Sequence, residues 1–310
     1  MAMFTLQPVT KKIIWGGERL SRDFGIGDAG EKIAEAWELT CRQDGDNMIA
    51  DGKYAGKFFS EYIKENPTAV GADFDGGRFP LLIKLIDAKA DLSIQVHPDD
   101  KYAFEHTDDM GKTEMWYIVD AEPGAKLVYG MKEKYSRKQI KDAIEHGTLE
   151  DLMNYVNVKK GDVYFIPSGL VHAIGAGILI AEIQQNSNIT YRVYDYNRRQ
   201  PDGTLRQLHV EQALDVIERT DPEAMEVRRE GDIIAACEFF TVRALDLRGR
   251  AKLAVTNKSF AHLLCVEGEA NVVGGGEELK IKKGGSIFIS AGTGEITLEA
   301  DNAKIIVSSI

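Results

Sequence analysis

GDVYFIPSGLVHAIGAGILIAEIQQNSNITYR, residues 161–192, is the stretch whose reading decides the fold. Val163 and Phe165 alternate with Tyr164 and Ile166, the period of a strand with two distinct faces. Pro167 and Gly169 then impose a tight turn. His172 leaves that turn at the start of the next strand. An imidazole held at the rim of a sheet by a Pro/Gly turn is poorly suited to core packing and well suited to a metal ion. A lone histidine in such a place is more often structural than a ligand, so the reading rests on what lies upstream.

Upstream, LSIQVHP (92–98) alternates cleanly. Leu92, Ile94 and Val96 point one way, and Ser93, Gln95 and His97 the other. KTEMWYIV (112–119) reads as a third strand, with Lys112, Glu114 and Trp116 on one face. Three strands thus offer Gln95, His97, Glu114 and His172. Two imidazoles, a carboxylate and an amide oxygen make a set for one zinc ion per chain, with room for a water or a substrate hydroxyl.

The frame G-x5-P-x-G-x2-H, here Gly161, Pro167, Gly169 and His172, matches the second cupin motif. WGGERL (15–20), IAEAWELT (33–40), LLIKLIDAKADLSIQVHPDD (81–100), GKTEMWYIVDAEPGA (111–125) and YRVYDYNR (191–198) extend the match over most of the chain. Together they resemble the type I mannose-6-phosphate isomerases of the short bacterial kind. The generic first cupin motif has His-x-His where this chain has Gln95-Val96-His97. Its glutamate also follows closely, whereas Glu114 comes after the insertion DDKYAFEHTDDMGKT (99–113). Both departures fit the isomerases and count against a generic cupin dioxygenase.

The resemblance implies a mainly β fold of two cupin jelly-roll barrels, with a small helical insertion in the first. It implies a zinc-dependent interconversion of mannose 6-phosphate and fructose 6-phosphate by proton transfer between C1 and C2, through an enediolate. It places the family's essential arginine at Arg192, makes Lys112 a pocket residue and matches Glu182 to a pocket carboxylate. A bare carboxylate in an apolar strand is costly to bury without a partner, so Glu182 also reads as an ion pair with Lys112 or Arg192. Lys112 and Glu182 are both candidates for the proton-transferring base. Lys112, Arg192, Arg198, Arg199 and Lys12 are the cations available to a phosphate. Two other readings stay open: a cupin metal oxygenase, which Gln95 counts against, and a non-catalytic sugar-binding cupin, which would tolerate loss of Lys112 or Arg192, yet has both.

The 310 residues are 44% hydrophobic, enough for a packed core, and carry a formal net charge of -11. That charge argues against nucleic acid or an anionic membrane as partner, but not against a small anionic substrate met by local cations. Cys41, Cys237 and Cys265 are odd in number and widely spaced, which reads as reduced, buried thiols. No apolar run is long enough to span a bilayer, and MAMFTLQPVTKKIIWGG lacks the apolar core of a signal peptide, so a cytoplasmic location is expected. Monomer and homodimer are both compatible.

Trp15 and Trp37 read equally as core or as sugar-lining residues. KFFSEYIKENPTA (57–69) predicts a helix from near Ser60, stopped before Pro67. Residues 132–156 predict an inserted helical segment capped by Ser136, with Ile140 and Ile144 on one face and a second stripe of Leu149, Leu152, Met153 and Val156; it is expected to cover one end of the pocket. His146 reads as a surface or capping residue rather than a ligand, and His209 as a structural residue at the start of a helix over 209–217. The charged stretch 221–232 reads as a connection. It divides a metal-binding catalytic cupin domain (1–230) from a metal-free, cupin-like β-barrel (231–310). There the frame Gly284-x5-Ser290-x-Gly292-x2-Glu295 repeats without its proline and histidine, and His262 stands alone.

Overall fold

The computed structural model describes residues 2–219 and 227–310; the first half of the expected connection, 221–226, lies outside them. The fold is mainly β, as expected. The chain forms two compact units, one of Met1–Lys12, Glu18–Leu85 and Val227–Ile310, the other of Ile13–Gly17 and Ile86–Glu226.

The second unit holds a five-stranded antiparallel sheet, ordered Met153–Asn157, Lys126–Met131, His172–Ile174, Ile94–Val96, Tyr191–Tyr194. It also holds the long strand Glu114–Ala121, flanked by Val163–Ile166 and Ile178–Gln185. Lys112, expected within that long strand, sits just before it. All eight residues of Ile178–Gln185 are buried, which is why the stretch reads as an unbroken apolar run around one glutamate.

The helical insertion is real but lies elsewhere than expected. Ser136 caps the helix Arg137–Glu145 with a capping box to Gln139, worth about 1 kcal/mol. His146 ends it, its ring donating to the Asp142 carbonyl at 2.7 Å. The second stripe is a single 3-10 turn, Leu149–Leu152, leading into the strand Met153–Asn157. Ile140, Leu149 and Met153 pack with Ile94, Val96, Val128 and Ala173 and with Ala213 and Leu214 of the helix Val210–Arg219. Ile94 and Val96 alternate with Gln95 and His97, so this layer backs the sheet on the face opposite the candidate ligands. An apolar stripe needs a sheet face to cover, and here that face is the outer one.

In the first unit, nine strands form one sheet among the described residues, in which Met3–Gln7 pairs with Ser286–Ile289 of the C-terminal segment. The helix Phe59–Glu65 brings Phe59 and Tyr62 onto Phe4 and Phe288, with ring centroids 4.9 Å apart for Phe4–Tyr62 and for Phe59–Phe288. Trp37 is buried; its indole N–H donates to Glu35 at 2.7 Å while Lys84 and Lys11 lie over the ring. Lys84 is itself buried, 3.6 Å from Glu35, a cation the apolar run LLIKLI conceals. Glu295 is exposed in a pair with Lys252. Cys265 is buried, but Cys41 and Cys237 are partly exposed, so the expectation of three buried thiols holds for one.

Ile140→Ala, which opens the layer behind the sheet, should destabilise the protein by about 2–5 kcal/mol, the range for large-to-small core changes. Denaturant titration measures this, and turnover of the folded variant should match the parent because the site lies on the other face.

Candidate active site

Strand register builds the site. In antiparallel pairs, directly opposed residues share a face. His172 is opposed by Gln95, and Gln95 by Arg192, so the three form a row across neighbouring strands. Gly169, at φ +82, closes the turn that feeds His172 into this row, and its N–H donates to the His97 carbonyl at 2.8 Å. On the other strand group, Glu182 is opposed by Trp116, and Glu114 lies two residues before Trp116 on the same face.

The ligating atoms converge. His97 donates from Nδ1 to the Ile189 carbonyl at 2.7 Å, and His172 from Nδ1 to the Leu170 carbonyl at 2.8 Å. These bonds leave both Nε2 atoms as acceptors turned toward each other, 3.2 Å apart. Glu114 brings Oε1 within 3.5 Å of His172 Nε2 and Oε2 within 3.8 Å of His97 Nε2. The ligand atoms of the three residues all lie within 4.8 Å of one another, and all three residues are buried. Lone pairs this close repel one another unless a cation sits among them. Lys112 supplies one: its Nζ lies 2.6 Å from Glu114 and donates to His97 Nε2 at 3.1 Å. The donor set is that of a divalent metal site.

Gln95 completes the ring with its amide 3.5 Å from His172 Nε2 and Ser93 Oγ 3.3 Å from its Oε1. Turning the isosteric amide by half a turn presents Oε1 to the histidines and leaves Ser93 as its acceptor. Burial pushes the His172 pKa down to about 4, the Leu170 carbonyl opposing it, so the ring is neutral as a ligand must be. Glu182 is buried beside this group, its carboxylate 2.9 Å from the Trp116 indole N–H and 3.9 Å from Lys112 Nζ. Of its two expected partners, the structure supplies Lys112.

Gly111 lets the chain reach this point. A Cβ there would lie 2.4 Å from the Asp100 nitrogen, so only glycine allows residues 111–113 to pass the helix Asp100–His106, whose cap is Asp99. Thr113 is then pinned to Gln185 by an N–H donated to its side chain at 2.9 Å.

Arg192 stands at the end of the row. Its Nε donates to Ser93 Oγ at 3.2 Å and its Nη1 to the Gln207 carbonyl at 2.8 Å. Burial and the Arg206 guanidinium lower its pKa, Asp195 opposing them, and the group stays charged. Arg198 and Arg206 both grip Asp195, Arg206 Nε at 2.7 Å. Burial alone would raise the Asp195 pKa, but the two guanidiniums outweigh it and hold the carboxylate below its usual range. Three guanidiniums thus gather around one carboxylate. Arg206, Ser93 and His209, whose Nδ1 accepts from the Arg192 N–H at 3.3 Å and whose own N–H donates to the Arg192 carbonyl at 2.8 Å, are not legible as site residues from sequence: Ser93 shares a strand face with Gln95, but nothing in the spacing of the others signals a site. Two other expected cations are engaged with other partners: Lys12, in the first unit, is exposed in a pair with Glu31, and Arg199 donates to the Gly203 carbonyl of its own turn.

The chain matches the family model for the type I phosphomannose isomerase catalytic domain over residues 3–125, and that for the mannose-6-phosphate isomerase cupin domain over residues 230–310. It is 39% identical to the mannose-6-phosphate isomerase ManA of Bacillus subtilis over 98% of each chain. It is 35% identical to the mannose-6-phosphate isomerase of Streptococcus mutans over 92% of this chain and 91% of that one. A crystal structure of the Bacillus subtilis mannose 6-phosphate isomerase superposes over 100% of both chains with a TM-score of 0.90 at 35% identity. With the signature strands, their register and near full-length identity in agreement, the chain belongs to the type I mannose-6-phosphate isomerase family of enzymes.

Proposed function

We propose that this chain is a zinc-dependent isomerase that interconverts mannose 6-phosphate and fructose 6-phosphate in the cytoplasm. The observation that carries the proposal is the convergence of two buried imidazole Nε2 atoms, 3.2 Å apart, on a buried carboxylate, all within 4.8 Å of one another. That donor set suits a divalent cation, and His97, Glu114 and His172, with Gln95 turned, are the residues that would hold it. A bound zinc ion would act as a Lewis acid toward the oxygens on C1 and C2 of the sugar.

The reaction takes a proton from one of these carbons and returns it to the other, while a second proton passes between the two oxygens. Lys112 and Glu182 are the groups that move the carbon-bound proton. Their charged atoms lie 3.9 Å apart, within reach of one bound sugar. Trp116 holds the Glu182 carboxylate in place and excludes water from one side of it. Arg192, anchored through Ser93 and Gln207, offers its remaining N–H groups to the enediolate oxygens, where charge develops. Arg198 and Arg206 hold the substrate phosphate: three guanidiniums against Asp195 leave a net charge of +2, matched to a phosphate dianion. The C-terminal segment 231–310 serves structure, not metal binding.

Purified protein should contain one zinc ion per chain by elemental analysis, and His172→Ala should contain essentially none; equal metal in both would remove the basis of the proposal. Chelation should abolish turnover in a coupled isomerase assay, and added zinc should restore it.

Arg192→Ala should lower kcat by roughly 10²–10³, the effect of a lost oxyanion donor, with metal content unchanged. Arg206→Ala should instead raise KM for mannose 6-phosphate while kcat holds, because it removes binding common to ground and transition states. Steady-state kinetics of the two variants separates the roles; a kcat loss in Arg206→Ala as deep as in Arg192→Ala would contradict the division.

A further inference from the structure

Two titratable side chains of the first unit have no part in the site above. Glu38, on the strand Glu35–Leu39, is wholly buried, and among the described residues neither carboxyl oxygen has a hydrogen-bond partner. His262, on the strand Ala261–Gly274, is equally buried, and among the described residues its ring nitrogens have no side-chain partner, only the Glu38 main-chain carbonyl beside them. The two are neighbours: the Glu38 main-chain carbonyl faces the His262 ring and also accepts from Ser286 Oγ at 3.1 Å.

The surroundings are neutral. His262 is opposed by Phe288 on one neighbouring strand and by Ser308 on the other, and the Ser308 hydroxyl also lacks a partner. Tyr62, the titratable group on the helix Phe59–Glu65 that packs on Phe288, spends its hydroxyl on Ser290 at 2.8 Å. The charged groups around the Glu38 strand, Glu35, Lys84 and Lys11, gather on Trp37. Residues 35 and 37 alternate with 38, so they occupy the other face. A carboxylate or an imidazolium here would be an unpaired charge in a packed core, whereas the neutral forms cost far less.

We infer that folding moves one proton from the His262 imidazole to the Glu38 carboxyl, locking a neutral acid and a neutral base inside this unit and making its stability fall as the medium turns alkaline. Burial pushes the Glu38 pKa up from 4.5 to about 8, the Ser286 hydroxyl opposing, and pushes that of His262 down from 6.5 to about 3, the Glu38 carbonyl opposing. In the unfolded chain the order is reversed, and the carboxyl loses its proton first.

The linkage follows from counting protons on the pair. Between pH 4.5 and 6.5 both states carry one, folded on Glu38 and unfolded on His262, so the two opposed slopes cancel and stability is flat. From 6.5 to 8 the folded state keeps a proton that the unfolded state has released, and stability falls with rising pH. From 4.5 down to 3 the unfolded state binds two protons and the folded state one, so stability falls with falling pH. Each pH unit in the sloping windows is tenfold in the folding equilibrium, or about 30-fold over the alkaline window.

The test uses the full, metal-loaded chain. Infrared spectra at pH 6.5 should contain a protonated-carboxyl stretch that is absent from Glu38→Gln and is lost from the parent by pH 9. Denaturant unfolding between pH 6.5 and 8.5 should show the parent's folding equilibrium falling about 30-fold more than that of Glu38→Gln. Equal slopes, or no protonated-carboxyl component assignable to Glu38, would overturn the inference. Should Glu38→Gln fail to fold, the parent decides alone: nitrogen chemical shifts of His262 at pH 5 should report a neutral ring, and an imidazolium there would overturn it equally.

Discussion

The site depends on two hydrogen bonds from imidazole to main chain. His97 spends its Nδ1 proton on the Ile189 carbonyl and His172 spends its own on the Leu170 carbonyl. A neutral imidazole has one proton to give, so each bond fixes the tautomer as well as the ring plane. With Nδ1 committed, the Nε2 lone pairs are turned inward and face each other. Everything else answers that arrangement. Glu114 brings negative charge, Lys112 brings a cation, and the Pro167–Gly169 turn holds both histidines in register by tying the Gly169 N–H to the His97 carbonyl. Moving either carbonyl would free a ring to rotate, and the convergence of acceptors would be lost.

The chain handles buried ionisable groups in two opposite ways. Around the histidines of the second unit, charges are kept and paired: Glu114 with Lys112, Glu182 with Lys112 and Trp116, Asp195 with two arginines. Among the described residues Glu38 and His262 in the first unit have no charged partner, only the Ser286 hydroxyl and the Glu38 main-chain carbonyl nearby, and neutrality is the cheap state open to them. On the proposed function the paired groups are those that would move protons or grip an anion, while a residue that only fills space can be silenced by burial.

What was legible in the sequence was what periodicity encodes. The alternation of Ser93, Gln95 and His97 against Leu92, Ile94 and Val96 puts candidate ligands on one face and core on the other, and the structure keeps that division of faces. The spacing from Gly161 to His172 located the turn. Lys112 was placed one step too far into its strand, because a polar residue before a strand and one on its polar face look alike in sequence. The insertion around Ile140 was legible as an amphipathic helix, but a stripe of apolar residues says that a surface is covered and not which one. Lys84 escaped notice because a single lysine in an apolar run looks like an interruption, and only the neighbouring strand brings Glu35 and Trp37 to it. Arg206 lies in a loop whose arginines are alike in sequence; its pairing with Asp195 is tertiary.

On the proposed assignment, that loop would let so acidic a chain receive an anionic substrate. The net charge of -11 is spread over the whole chain, and at physiological salt a charge is screened beyond about 8 Å. A phosphate at Arg198 and Arg206 would therefore feel the guanidiniums beside it far more than the distant carboxylates. Asp195 has a part in this that its sign conceals. By gripping both side chains it lowers the local charge, yet it fixes two long, flexible arginines in place before any ligand arrives. Ordering such side chains on binding costs about 0.5–1.5 kcal/mol each. Setting that cost against the folding of the protein leaves more of the attraction between guanidinium and phosphate for binding. The carboxylate lowers the pull on the anion and in return makes the receiving geometry permanent.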